Sequence, residues 1–182
     1  KNKIYYMPIP VDPNLEFDKF YEYNKSKDLF FALSHGVNYG KLKKNAYDIR
    51  TQFIDELVSQ SNTNFETSFD FNFLGLYDEQ PKWNFDFIDQ IKLSKTALNL
   101  SRGGPNKYAS SNRIALLMGN GILPFIHEDV RFQDFFDNDE IITYKNSYDL
   151  LVKLDKIKAD EQKIKKRSVK AKKSYFNYFE NT

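Results

Sequence analysis

Five short apolar runs, each followed by a stretch of helical periodicity, limit what this chain can fold into. Residues 29–33 (Leu-Phe-Phe-Ala-Leu) form an unbroken apolar run, the pattern of a strand buried on both faces. After a polar stretch, Ala46, Ile49, Phe53, Ile54, Leu57 and Val58 recur at helical spacing. Residues 69–76 read as a second strand, alternating at first and then fully apolar. Residues 85–93 read as a helix with Phe87, Ile88 and Ile91 on one face. A third strand is predicted over 96–100. A third helix follows over 110–119, with Ile114, Leu117 and Met118 on one side and Ser110 or Ser111 as its cap. Gly121 ends the turn before a fourth strand at 122–126. A short helix near 132–136 leads to a fifth strand at 140–144.

This rhythm predicts an α/β fold: a Rossmann-like, doubly wound parallel sheet of about five strands with C-terminal helices. Right-handed crossovers put every strand C-terminus on one edge, and such sheets bind ligands there. Chemistry is therefore expected in the loops after Leu33, Leu100 and Ile126. Beyond Tyr144 the pattern stays helical. Leu150, Leu151, Leu154 and Ile157 continue a buried face, and 159–173 is polar and lysine-rich. Residues 175–179 place four rings at i, i+1, i+3 and i+4, a stripe that needs something to pack against.

Composition removes several classes of function. Aromatics make up 16% of the 182 residues, too ring-rich for a chain that stays disordered. No apolar run approaches the roughly 18–20 residues that cross a bilayer, so no integral membrane segment is expected. There is no cysteine, which excludes disulfides, thiolate metal sites and cysteine nucleophiles. With His35 and His127 the only histidines, no metal site is expected either. The net charge of +2 conceals an asymmetry: residues 153–173 hold ten Lys or Arg against three Asp or Glu, leaving 17 against 22 elsewhere. The chain as a whole does not have the charge of a nucleic-acid-binding domain, but its C-terminal end suits an anionic partner. It begins with lysine and shows no signal-peptide pattern, so a piece of a longer cytoplasmic protein is expected.

Two loops carry the candidate chemistry. In the loop after the first strand, His35, Gly36, Asn38 and Lys41 could hold a phosphate or a sugar, the glycines permitting close backbone approach. The loop is neither a P-loop nor a dinucleotide fingerprint, and the alternative is a solvated turn. The loop after the third strand leads through Arg102, Lys107 and Tyr108 to a helix opening Ser110-Ser111-Asn112-Arg113. Free N–H groups and the positive dipole end at a helix start favour a phosphate. The serines add hydrogen bonds, and the arginines add charge and bidentate geometry. The alternative is a capped helix with Arg113 in a surface ion pair. Asp137-Asn138-Asp139 has the spelling of a metal–nucleotide motif but precedes a strand, at the wrong edge, and reads as a polar turn. His127-Glu128-Asp129 lies at the productive edge, either as ligand contact or as exposed loop. Neither a nucleophile elbow nor a catalytic triad is spelled out.

The stretches KTALNLSRGGPNKYASSNRIALLMGNGILPFI and FDNDEIITYKNSYDLLVKL resemble the C-terminal half of a GT-B-fold glycosyltransferase of the CgeB-like, group-1-like kind. YYMPIPVDPNLEF is similar to the segment that enters this half, and KSYFNYF to the final helices. The resemblance implies linker residues 1–27 from an N-terminal domain, a donor-binding domain at 28–158, and C-terminal helices at 159–182. It implies a nucleotide-sugar donor, no metal and no cofactor, with the acceptor and its base on the N-terminal half. Ser111, Asn112 and Arg113 match the helix start that faces the diphosphate, and the loop 35–41 matches the one that approaches the donor. One position departs: where the family commonly has a ribose-binding glutamate three residues after the arginine, this chain has Leu116. A fucosyltransferase-like layout fits Tyr108 to Arg113 loosely and lacks its acidic residue too. Donor sugar, acceptor and stereochemical outcome are not legible. The rival expectation is a non-catalytic, transferase-like binding or scaffold module.

Overall fold

Five parallel strands stand in the order β2-β1-β3-β4-β5 in the computed structural model, which describes residues 9–34, 48–77 and 79–180. They are β1 (Lys27–Ala32), β2 (Phe71–Leu74), β3 (Ser94–Asn99), β4 (Leu123–His127) and β5 (Ile142–Tyr144). The helices are α1 (Ile49–Asn64), α2 (Asn84–Lys92), α3 (Asn112–Gly119), α4 (Ser147–Lys158) and α5 (Glu161–Glu180). The predicted short helix near 132–136 is a single 3-10 turn, Phe132–Asp134. Each strand lies within a residue or two of its predicted run, because short apolar runs between polar breaks leave little room for slippage.

The alternation within β1 divides the core. Leu29, Phe31 and Leu33 join Phe73, Leu98, Phe125 and Tyr144 beneath Ile54 and Leu57 of α1 and Leu150, Leu151 and Leu154 of α4. On the opposite face Phe30, Leu74, Ala97 and Ile122 meet Ile91 of α2 and Leu117 of α3. A third cluster joins Ile114 and Met118 of α3 to Phe132, Phe136, Ala171 and Tyr175. Both faces are thus covered, which is why β1 needs apolar side chains in both directions.

The chain passes from β1 to β2 on one side and returns to β3 on the other, with Leu29 pairing both Phe71 and Thr96. The switch point therefore lies between the C-terminal ends of β1 and β3, the place where such sheets leave a crevice. Gly75 closes the neighbouring turn at φ +71°; a Cβ there would lie 2.0 Å from the Leu33 carbonyl oxygen, so only glycine fits.

The aromatic stripe finds its packing partners within the chain. Tyr175 is fully buried, stacks on Phe136 at 5.6 Å between ring centroids and donates its hydroxyl to the Ile9 carbonyl at 2.7 Å, and Tyr178 packs against Phe135 and Phe136. Part of the basic helix is turned inward as well. Arg167 donates to the carbonyls of Asn138, Asp139 and Ile141, Lys172 to those of Glu16 and Asp18, and Lys170 pairs with Asp137 at 3.2 Å. The Asp137-Asn138-Asp139 turn is thereby clamped to α5. No helix among the described residues is long and apolar enough to cross a membrane.

Candidate functional site

The crevice at the switch point begins with a buried carboxylate. Asp48 precedes α1 and is fully buried; its side chain accepts the Arg50 backbone N–H at 3.0 Å, an N-cap bond. The same carboxylate receives the Arg50 guanidinium, with Nε 2.9 Å from Oδ1, and Arg50 is itself buried. Arg102, much more exposed, brings its Nε to 3.9 Å from Asp48 Oδ2.

Arg113, one residue inside α3, completes the cluster. Its Nη1 donates to the Leu100 carbonyl at 2.9 Å and its Nη2 to the Ala32 carbonyl at 3.2 Å. One side chain thus ties the end of β1 to the end of β3. Its guanidinium carbon lies 5.0 Å from the centroid of the Phe31 ring, within cation–π reach. Burial, reinforced by the like charge of Arg50 and opposed by Asp48, pushes its pKa down to about 10, so it stays cationic at neutral pH. These two bonds engage two of the five N–H donors a guanidinium offers.

Arg50 and Arg113 also line a cleft of about 250 Å³, with Ala32, Leu33 and Ser34 from the end of β1 and Pro81, Lys82, Trp83, Asn84 and Phe87 from the approach to α2. Trp83, the chain's only tryptophan, is largely exposed at its mouth. Chemically, Arg50 and Arg113 bring two guanidinium groups to the cleft beside an apolar wall, while Arg50 and the more exposed Arg102 reach the Asp48 carboxylate. Burial weakens solvent screening, so the charge of Arg113, which has no carboxylate within 4.0 Å among the described residues, is felt in the cleft. An anionic group carried on a flat or apolar body suits such a surface.

The predicted site residues divide. Arg102 reaches toward Asp48, and Arg113 lies near enough to feel the charges of Asp48 and Arg50. Asn112 is exposed as the first residue of α3, and Ser111 stands at its N-cap position. The predicted serine cap is not made: the Ser111 hydroxyl lies 3.5 Å from Asn99 Oδ1, and that of Ser110 accepts the Ile9 N–H at 2.9 Å. Nor does Arg113 form the alternative surface ion pair among the described residues; it holds the Leu100 and Ala32 carbonyls. Tyr108 donates its hydroxyl to Asp134 at 2.9 Å and packs edge-on to Phe135, joining its loop to the segment after β4. Lys107 sits over the Tyr108 ring at 4.7 Å. His35, Gly36, Asn38 and Lys41 lie outside the described residues. His127 ends β4 with its ring edge-on to Tyr144 and its Nδ1 accepting the Asp129 N–H. Among the described residues no three His, Asp or Glu side chains gather where they could hold a metal ion.

Sequence reasoning missed Asp48, Arg50, Lys82 and Trp83. The available signal was Asp48-Ile49-Arg50 at the start of a periodic apolar stretch, the spelling of an N-cap with a cation two residues on. No protein-family model matches the chain, and no curated protein matches it.

Proposed function

We propose that this chain is the donor-binding half of a GT-B-type glycosyltransferase, and that it holds the diphosphate of a nucleotide-sugar between the ends of β1 and β3. The observation that carries the reading is the presence of Arg50, Arg102 and Arg113 near the Asp48 carboxylate at the switch point. Among the described residues guanidinium charge outweighs carboxylate charge there, which complements a diphosphate. Cleavage of the sugar C1–O bond leaves negative charge on the departing nucleoside diphosphate. Preorganised guanidinium groups stabilise that charge without rearranging. Arg113 is anchored by strand carbonyls and supplies a fixed field, whereas Arg102 has the freedom to follow the ligand. The resemblance places the acceptor and its base on an N-terminal half.

Calorimetric titration with UDP-, GDP- and ADP-sugars tests the reading. Saturable binding of one of them is expected, weakened about tenfold in Arg102→Ala by loss of a charge-assisted contact. Absence of saturable binding to all three overturns it.

Leu116, one helical turn after Arg113 on α3 and packed against the core, favours a second reading, a transferase-like module that binds or scaffolds without catalysis. Leu116→Glu should strengthen nucleotide binding if the pocket is otherwise intact. Unchanged binding favours the scaffold reading.

A further inference from the structure

The chain's basic C-terminal stretch is only partly consumed by internal bonds, and part of what remains lies beside β5. A cleft of about 430 Å³ opens beside β5, bounded by Asn138, Thr143, Lys153, Lys156, Lys163 and Arg167 over a floor of Ile141, Ile142 and Ile157. Four cations line it and no carboxylate does. It sits at the free edge of the sheet, since β5 pairs with β4 alone, and is remote in the strand order from the β1–β3 rim.

The four cations differ in what they already hold. Lys153 donates to the Thr143 carbonyl and to Asp149, both at 2.8 Å, so its charge is matched. Arg167 donates through Nε and Nη2 to three backbone carbonyls, which fixes its plane without neutralising its charge. Burial lowers its pKa, with Asp139 opposing, as expected of a cation held out of water without a close carboxylate. Lys156 of α4 and Lys163 of α5 are exposed, and neither has a carboxylate within 4.0 Å among the described residues. Of the acidic groups around the cleft, Asp149 pairs with Lys153 and Asp139 with Lys170 at 3.8 Å. Asp160 accepts the backbone N–H of Lys163.

We infer that this cleft is a second anion site, in which Arg167 is the oriented anchor and Lys156 and Lys163 close on a phosphate group from α4 and α5. With Nε and Nη2 of Arg167 held by carbonyls, the N–H groups of Nη1 remain as donors to phosphate oxygens from a fixed charge, while the lysines act as mobile point charges. The apolar floor suits an attached carbon skeleton. Phosphate of this kind could come from a soluble phosphate ester or from a phospholipid headgroup, and the same site chemistry serves both.

The test uses the whole chain and two probes, pyrophosphate in solution and vesicles of phosphatidylcholine with or without phosphatidic acid. Lys156→Glu/Lys163→Glu changes exposed residues only, and its circular dichroism and melting temperature report whether the fold is kept. Pyrophosphate also suits the β1–β3 rim, so Arg102→Ala is measured alongside. The expected result is binding that weakens at least about tenfold in the double variant, falls with added salt, and survives in Arg102→Ala. Pyrophosphate binding with this pattern identifies a soluble ligand; binding confined to vesicles with phosphatidic acid identifies a headgroup. Arg167→Lys, which keeps the charge but loses the carbonyl-held guanidinium and its Nη1 donors, should weaken either one. The inference is overturned if the folded double variant binds both probes as the parent does, or if the parent binds neither.

Discussion

Lys25 offers the most quantitative test of the structure. It lies on the segment leading into β1, partly buried, with its Nζ donating to the Lys92 carbonyl at 2.8 Å. Burial pushes its pKa down from 10.5 to about 8, against the smaller opposing pull of Asp18 and Glu161. Below pH 8 the ammonium is charged in both folded and unfolded chains, and the fold bears the full cost of its burial. Between about 8 and 10.5 the unfolded chain holds the proton more tightly, so stability from this group rises with pH. Above 10.5 the cost is gone. At 1.36 kcal/mol per pH unit the displacement is worth roughly 3 kcal/mol, and partial solvent contact reduces it to about 1–2 kcal/mol. Lys25→Met keeps the stem and removes the charge. Its effect should be more favourable at pH 7 than at pH 10.5 by that 1–2 kcal/mol, on top of a constant loss of about 1 kcal/mol for the missing hydrogen bond. Urea unfolding of both proteins at the two pH values measures the difference directly. If the two values agree within about 0.3 kcal/mol, the burial argument fails.

Gly75→Ala should cost roughly 3 kcal/mol or more by urea unfolding, since its Cβ has nowhere to go but the Leu33 carbonyl. Because Leu33 lines the cleft, the variant should also weaken any ligand bound there. Tyr175→Ala should cost about 3–5 kcal/mol, through the cavity beneath Phe136 and the lost bond to Ile9; a near-neutral result would mean that α5 does not depend on this anchor. Arg102→Ala should leave the unfolding midpoint almost unchanged, because its weak ion pair is largely exposed, while reducing donor affinity.

The five strands were legible because each apolar run is short and bounded by polar or glycine breaks, so period and length agree. Helix starts were less so. Residues 110–111 have the composition of a cap, yet their hydroxyls are directed at Ile9 and Asn99, partners distant in sequence. Arg50 was overlooked because a basic residue near a polar loop has the look of solvent-facing charge; only the fold shows Asp48 buried beneath it. Arg113 and Arg102 were legible as a pair, but the use of Arg113 to bind two strand ends depends on β1 and β3 being neighbours, which local pattern does not reveal. The stripe 175–179 is legible as needing a partner, but its partners are not, because Phe135 and Phe136 lie some forty residues upstream in sequence.

The bond from Tyr175 to Ile9 joins residues 166 positions apart, and Lys172 reinforces it at the carbonyls of Glu16 and Asp18. The opening strap and the closing helix are therefore fastened to one another as well as to the sheet. Loosening either end frees the other, so the two should unravel as a single cooperative flap. A force or a protease acting at one extremity is felt at both, while the strands beneath keep their pairing until that clasp has opened.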